Sequence, residues 1–179
     1  YGPQGIGGLC VKLKEPEIKR FKVGGSGVRT FDEKHPGEYP LRLEAGTLNT
    51  SGILGLHEGI KYINKHGIEN LYKKQIDFAN RFYNELKDLE CLEFYGDFTK
   101  DRTAVVALNF IGISASDVAD VLAEEYDIAV RPVAHCAPLM HEVLGTKEQG
   151  IVRFSFSSMN TDEEVDYAIN AIKTLAKEI

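Results

Sequence analysis

The sequence predicts an α/β chain whose larger, carboxy-terminal part is an α+β layer, with helices packed on a mostly antiparallel sheet. Three observations predict it. From about residue 67 onward, helical and strand-like patterns follow one another as helix, strand, strand, helix, strand, strand, helix. The helices carry recognisable start and stop residues. The 43% hydrophobic content of the 179 residues is enough for a real core. The first 50 residues are too irregular to make a self-sufficient domain.

The elements follow in order. "IGGLCVKL" (6–13) reads as a strand, and residues 22–42 as a long irregular stretch containing "GGSG" and Pro36 and Pro40. "NTSGILGLHEGIKYINKHG" (49–67) reads as a helix capped by Asn49, Thr50 or Ser51 and closed by Gly67. In the next helix Ile68, Leu71, Gln75, Phe78, Ala79, Phe82 and Leu86 share one face, with Gln75 the polar exception. "CLEFYG" (91–96) and "AVVALNF" (104–110) read as strands. "SASDVADVLAEEYD" (114–127) reads as a helix with Val118, Val121 and Leu122 inward. "IAVR" (128–131) and "GIVRFSFS" (150–157) read as strands, with a short helix between them starting near residue 137, because Pro138 suits a first helical turn and Gly145 a stop. The last helix opens with the Thr161/Glu164 spacing of a capping box and buries Val165, Ile169, Ile172 and Leu175.

Charge and cysteine usage restrict the function. A formal net charge of −6 argues against a nucleic-acid backbone as the main partner. No apolar run approaches the roughly 20 residues of a membrane-spanning helix. Cys10, Cys91 and Cys136 are odd in number, widely spaced and without a CxxC pair, which suggests reduced thiols in a cytoplasmic setting. The opening "YGPQGIGGLCVKLK" has neither Met nor a cap, as expected of a chain that starts inside a domain.

Chemistry concentrates in "RPVAHCAPLMHEVLG" (131–145). Cys136 precedes the expected helix start, with Arg131 and His135 nearby. Helix N–H groups and neighbouring cations favour a thiolate. A small buried hydrophobe is the plain alternative for a free cysteine. A zinc site of His135, Cys136 and His141 lacks a further ligand at suitable spacing. Arg153 stands in an otherwise apolar strand, where its charge must be met either by an internal salt bridge or by a ligand carboxylate. "EAGTLNTSG" (44–52) places a Gly46-Thr47 turn before a helix, suited to a phosphate or simply to capping.

In order along the chain, these stretches resemble the carboxy-terminal part of the class V aminotransferase-like, fold type I pyridoxal-phosphate (PLP) enzymes, most closely the cysteine desulfurase and selenocysteine lyase branch. "GPQGIGGL" resembles the segment after the cofactor lysine, and "RLEAGTLNTSGILGL" the Arg-Phe-Glu-Ala-Gly-Thr-Pro-Asn stretch. "AVRPVAHCAPLMHEVLGT" resembles the segment with the catalytic cysteine, and "GIVRFSFSSMNTDEEVD" the Arg-x-Ser segment of the small domain.

The resemblance implies that residues 1–49 end a large PLP-binding domain, 50–66 form a connecting helix and 67–179 a small domain. It implies Cys136 as the sulfur-accepting nucleophile and Arg153 as the substrate-carboxylate holder. Arg131 and His135 would line the same pocket. Gly46 and Thr47 would touch the PLP phosphate across a homodimer interface. The substrate would be cysteine or selenocysteine, and the partner a sulfur-acceptor protein. The Ser-x-His-Lys motif of the Schiff-base lysine has no match here, so these residues alone are expected to be inactive. Pro132 and Val133 depart from the family's small residue and glycine, and Leu48 from its proline.

Overall fold

The computed structural model describes residues 1–12, 18–29 and 31–178, and divides the chain into two compact units, Tyr1–His66 and Gly67–Ile179. The first unit is mainly irregular backbone followed by α1 (Thr50–His66). Asn49 caps α1, its Oδ1 accepting the Gly52 N–H at 3.0 Å. The amino-terminal segment runs against the glycine side of this helix. Tyr1 stacks on Tyr62 with centroids 5.4 Å apart, and a Cβ on Gly59 would collide with the Tyr1 carbonyl. Residues 6–12 form no strand, and Leu13 lies outside the described residues. "IGGLCVKL" has β-type side chains, but among the described residues no neighbouring strand in its unit offers the ladder that would hold them.

The second unit contains α2 (Ile68–Leu86), β1 (Leu92–Tyr95), β2 (Val105–Phe110), α3 (Ala115–Tyr126), α4 (Pro138–Leu144), β3 (Val152–Ser155) and α5 (Asp162–Glu178). The strands make an antiparallel sheet of order β1-β2-β3. Leu92 pairs with Phe110 and Phe94 with Leu108, while Val106 pairs with Phe154 and Leu108 with Val152. These residues share one face, because side chains alternate along a strand and directly paired residues point the same way. Helices α2 and α5 pack on one another, α2 also on β2, and α3 on β2 and β3. Phe82, Leu86, Leu122, Ile172, Val106, Leu108 and Phe110 are fully buried. Each contributes about 1.5–3 kcal/mol relative to exposure. The opposite face carries Ala107, Asn109 and Arg153.

Local signals explain the helix ends. Ser114 accepts the Asp117 N–H, and Asp127 ends α3 in the left-handed region. The α5 capping box forms as the spacing predicts: Glu164 N–H donates to Thr161 Oγ1 and Thr161 N–H to the Glu164 carboxylate. Two further expectations need correction. Residues 128–131 make no strand but a single antiparallel bridge, Arg131 to Arg153. Ile68, expected inward, is 67% exposed, since it opens α2 ahead of the packed stretch.

Candidate active site

The site is built on that single bridge. Arg131 and Arg153 exchange both backbone hydrogen bonds, at 3.2 and 2.9 Å. The chain then turns sharply through Val133–Cys136 before Pro138 opens α4. Val133, His135 and Cys136 hold φ of 71°, 51° and 58°. Left-handed backbone is costly for non-glycine residues, above all for a β-branched one. Tertiary contacts enforce it. Ile151 N–H donates to the Val133 carbonyl at 3.3 Å, and Gly150 lies so close that a Cβ there would stand 2.7 Å from Val133 Cα. Gly150 itself has φ 74°, so glycine is required twice over.

This loop presents the Cys136 thiol to solvent. Arg131 Nη2 donates to its Sγ at 3.4 Å. The plain alternative, a packed hydrophobe, is therefore excluded: Cys136 is exposed and its neighbour is a cation. His135 Nε2 lies 2.7 Å from the Arg131 carbonyl, which can only accept, so Nε2 carries the proton. Burial holds the His135 pKa below its ordinary value, against the upward pull of that backbone bond; the cationic Arg153, along with His141 and Arg131, adds to the depression. His135 is accordingly a neutral imidazole at pH 7.

Arg153 is half-buried, and its Nε is enclosed without an acceptor. Among the described residues it has no carboxylate partner, so the salt-bridge alternative from the sequence does not hold. Its charge is left for a ligand. The same residues contain no group of three His, Cys, Asp or Glu side chains suited to a metal ion.

Gly46 and Thr47 belong to the first unit. Gly46 has φ 82° and its N–H is spent on the Gly25 carbonyl at 2.8 Å. That removes one of the two donors expected for a phosphate. Thr47 is exposed in the same bend. Sequence reasoning missed the frame behind the loop: Asn109, Thr146 and Gly150, and His141 in anything but a metal role. Asn109 in "AVVALNF" was the available signal, an amide in an otherwise apolar strand. It is 1% exposed and donates to the Gly150 carbonyl at 2.7 Å, while its Oδ1 accepts the Val152 N–H at 3.3 Å.

The aminotransferase class-V family model matches residues 1–168. The chain belongs to the aminotransferase class-V family. Among curated relatives, this class-V chain is 36% identical over 187 residues to a probable cysteine desulfurase of Pyrococcus abyssi, covering 99% of the chain and 44% of the relative. It is 33% identical over 180 residues to a cysteine desulfurase of Escherichia coli O157:H7, covering 98% of the chain and 43% of the relative. The chain thus spans under half the length of these relatives. Of solved structures, the apo cysteine desulfurase from Thermococcus onnurineus NA1 superposes with a TM-score of 0.71 at 34% identity, over 78% of this chain and 34% of that one. A cysteine desulfurase of Escherichia coli in an S-sulfonic acid form superposes with a TM-score of 0.76 at 29% identity, over 89% and 39%. These class-V likenesses agree with the α+β sheet and its helices.

Proposed function

We propose that this chain is the thiol-bearing part of a PLP-dependent cysteine desulfurase. The observation that carries the proposal is the exposed Cys136 Sγ held 3.4 Å from an arginine nitrogen, beside a second arginine that has no carboxylate partner among the described residues. A cysteine substrate brings what these groups lack: a carboxylate for the Arg153 guanidinium and a sulfur for Cys136. A charged N–H donor bonds a sulfur anion more strongly than a thiol, and the anion is the nucleophile.

Cys136 then attacks the substrate sulfur. An S–S bond forms, the substrate C–S bond breaks, and the hydrogen that leaves the Cys136 thiol is balanced on the methyl group of alanine. The products are alanine and a persulfide on Cys136, so no outside oxidant is needed. The PLP ring, when bound, serves as the electron sink at the substrate α-carbon. Of the residues here, the exposed Thr47 hydroxyl at the Gly46 bend would meet its phosphate end. No lysine in the chain lies in the Schiff-base motif. Exposure of Cys136 leaves the persulfide within reach of a sulfur-acceptor protein, and the reading extends to a homodimer. Cysteine and selenocysteine offer Arg153 the same carboxylate, so both remain substrates under this reading.

The test is persulfide mass spectrometry of the PLP-loaded protein that carries this chain, after addition of cysteine. One extra sulfur on Cys136, absent in Cys136→Ala together with alanine formation, is expected. Undiminished alanine formation by Cys136→Ala would overturn the proposal in favour of a class-V reaction that does not use the thiol.

A further inference from the structure

Helix α4 is inverted. Three of its apolar side chains face solvent, with Leu139 75%, Met140 57% and Val143 83% exposed, while Leu144 is half-buried. Its buried side chain is a histidine, His141, 3% exposed. Burying an imidazole is costly unless its polar atoms are bonded. Here Nδ1 lies 2.9 Å from the hydroxyl of Thr146, itself 4% exposed. Thr146 N–H returns to the His141 carbonyl at 2.9 Å, and the Thr146 carbonyl accepts from Gly150 N–H at 2.9 Å. The His141 ring stands edge-on to that of His135, with centroids 5.5 Å apart and planes at 68°.

We infer that His141 and Thr146 form a latch that orients His135, and through the His135 bond to the Arg131 carbonyl holds Cys136 beside the Arg131 guanidinium. Both are positioning residues, for neither touches the sulfur. The hydroxyl fixes the His141 ring. The ring edge then limits His135 to the orientation in which Nε2 meets the carbonyl. The left-handed loop between Arg131 and Pro138 follows that pin. Ile151 and Gly150 hold the Val133 side of the turn, and the His135 pin holds the side next to Cys136.

The inference rests on reading Cys136 as the reacting thiol, but its test needs no turnover. In the whole protein that carries this chain, alkylation of Cys136 by iodoacetamide is measured from pH 6 to 9 against Cys10, an exposed thiol in the same molecule. The His135 tautomer is followed by long-range proton–nitrogen correlation. Thr146→Val keeps the shape and removes the hydroxyl. It is expected to lower the Cys136/Cys10 rate ratio near neutral pH about fivefold, the equivalent of one neutral hydrogen bond, and to mix the His135 tautomers. Thr146→Ser is expected to restore both. Should Thr146→Val fail to fold, His141→Gln, which keeps a polar partner for Thr146 and removes the ring edge, is expected to lower the ratio likewise. An unchanged ratio and tautomer in a folded variant would overturn the latch. A wild-type enzyme that makes no persulfide would sink the desulfurase reading and leave the latch standing.

Discussion

Arg131 and Arg153 face each other across one antiparallel bridge, exchanging backbone hydrogen bonds at 2.9 and 3.2 Å, and neither guanidinium has a carboxylate partner among the described residues. Two cations placed side by side repel. A fold tolerates that arrangement when an anion is to arrive.

Arg153→Gln is therefore expected to leave stability within about 0.5 kcal/mol of wild type, since no ion pair is lost. It should lower kcat/KM for cysteine by about 10²-fold or more in the PLP-loaded protein. Thermal melting and steady-state alanine formation check the two halves. A large drop in melting temperature would show that Arg153 is structural.

Asn109→Leu is expected to destabilise the fold by about 2–3 kcal/mol. The substitution leaves the buried Gly150 carbonyl and Val152 N–H without partners, and an orphaned buried group costs about 1–3 kcal/mol. Urea unfolding measures it. A midpoint equal to wild type would mean that water replaces the amide.

Gly150→Ala introduces a methyl group at φ 74°, 2.7 Å from Val133 Cα. The loop must retreat. A loss of more than about 2 kcal/mol is expected, from strain plus overlap, together with slower Cys136 alkylation. An alanine variant of unchanged melting temperature and thiol reactivity would contradict the close approach.

The depressed pKa of His135 gives a pH dependence whose sign follows from linkage. The unfolded chain takes up its proton near the ordinary value of 6.5, before the folded protein does. The stabilisation is thus complete above pH 6.5 and is lost as pH falls through the lower folded value. Urea midpoints at pH 7.5 and 5 are expected to differ less in His135→Gln than in wild type. Equal pH sensitivity of the two proteins would remove His135 as the source.

Much of this was legible in the sequence because the signals are local. Phe78, Phe82 and Leu86 mark the inner face of α2 by spacing alone, and Thr161 with Glu164 fix the start of α5. Pro138 and Gly145 bracket α4. Arg131, His135 and Cys136 lie within six residues, so any tight turn brings them together. What was not legible depends on partners distant in sequence. "IAVR" has strand-like side chains, yet only Arg131 pairs, through its single bridge to Arg153. The burial of His141 was hidden because the hydroxyl that draws it inside lies beyond the helix. The contact of the Gly46 N–H with the Gly25 carbonyl joins residues distant in sequence, which only the fold brings together.

Among the described residues, the buried hydrophobic cluster falls between Phe78 and Leu175. In the unit Tyr1–His66, by contrast, Phe21 and Phe31 lie almost wholly open. To a protease the two stretches are unequal targets: trypsin would cut early around Arg20 and Lys22 and stall once it reached the sheet, sparing the segment with the reactive sulfur.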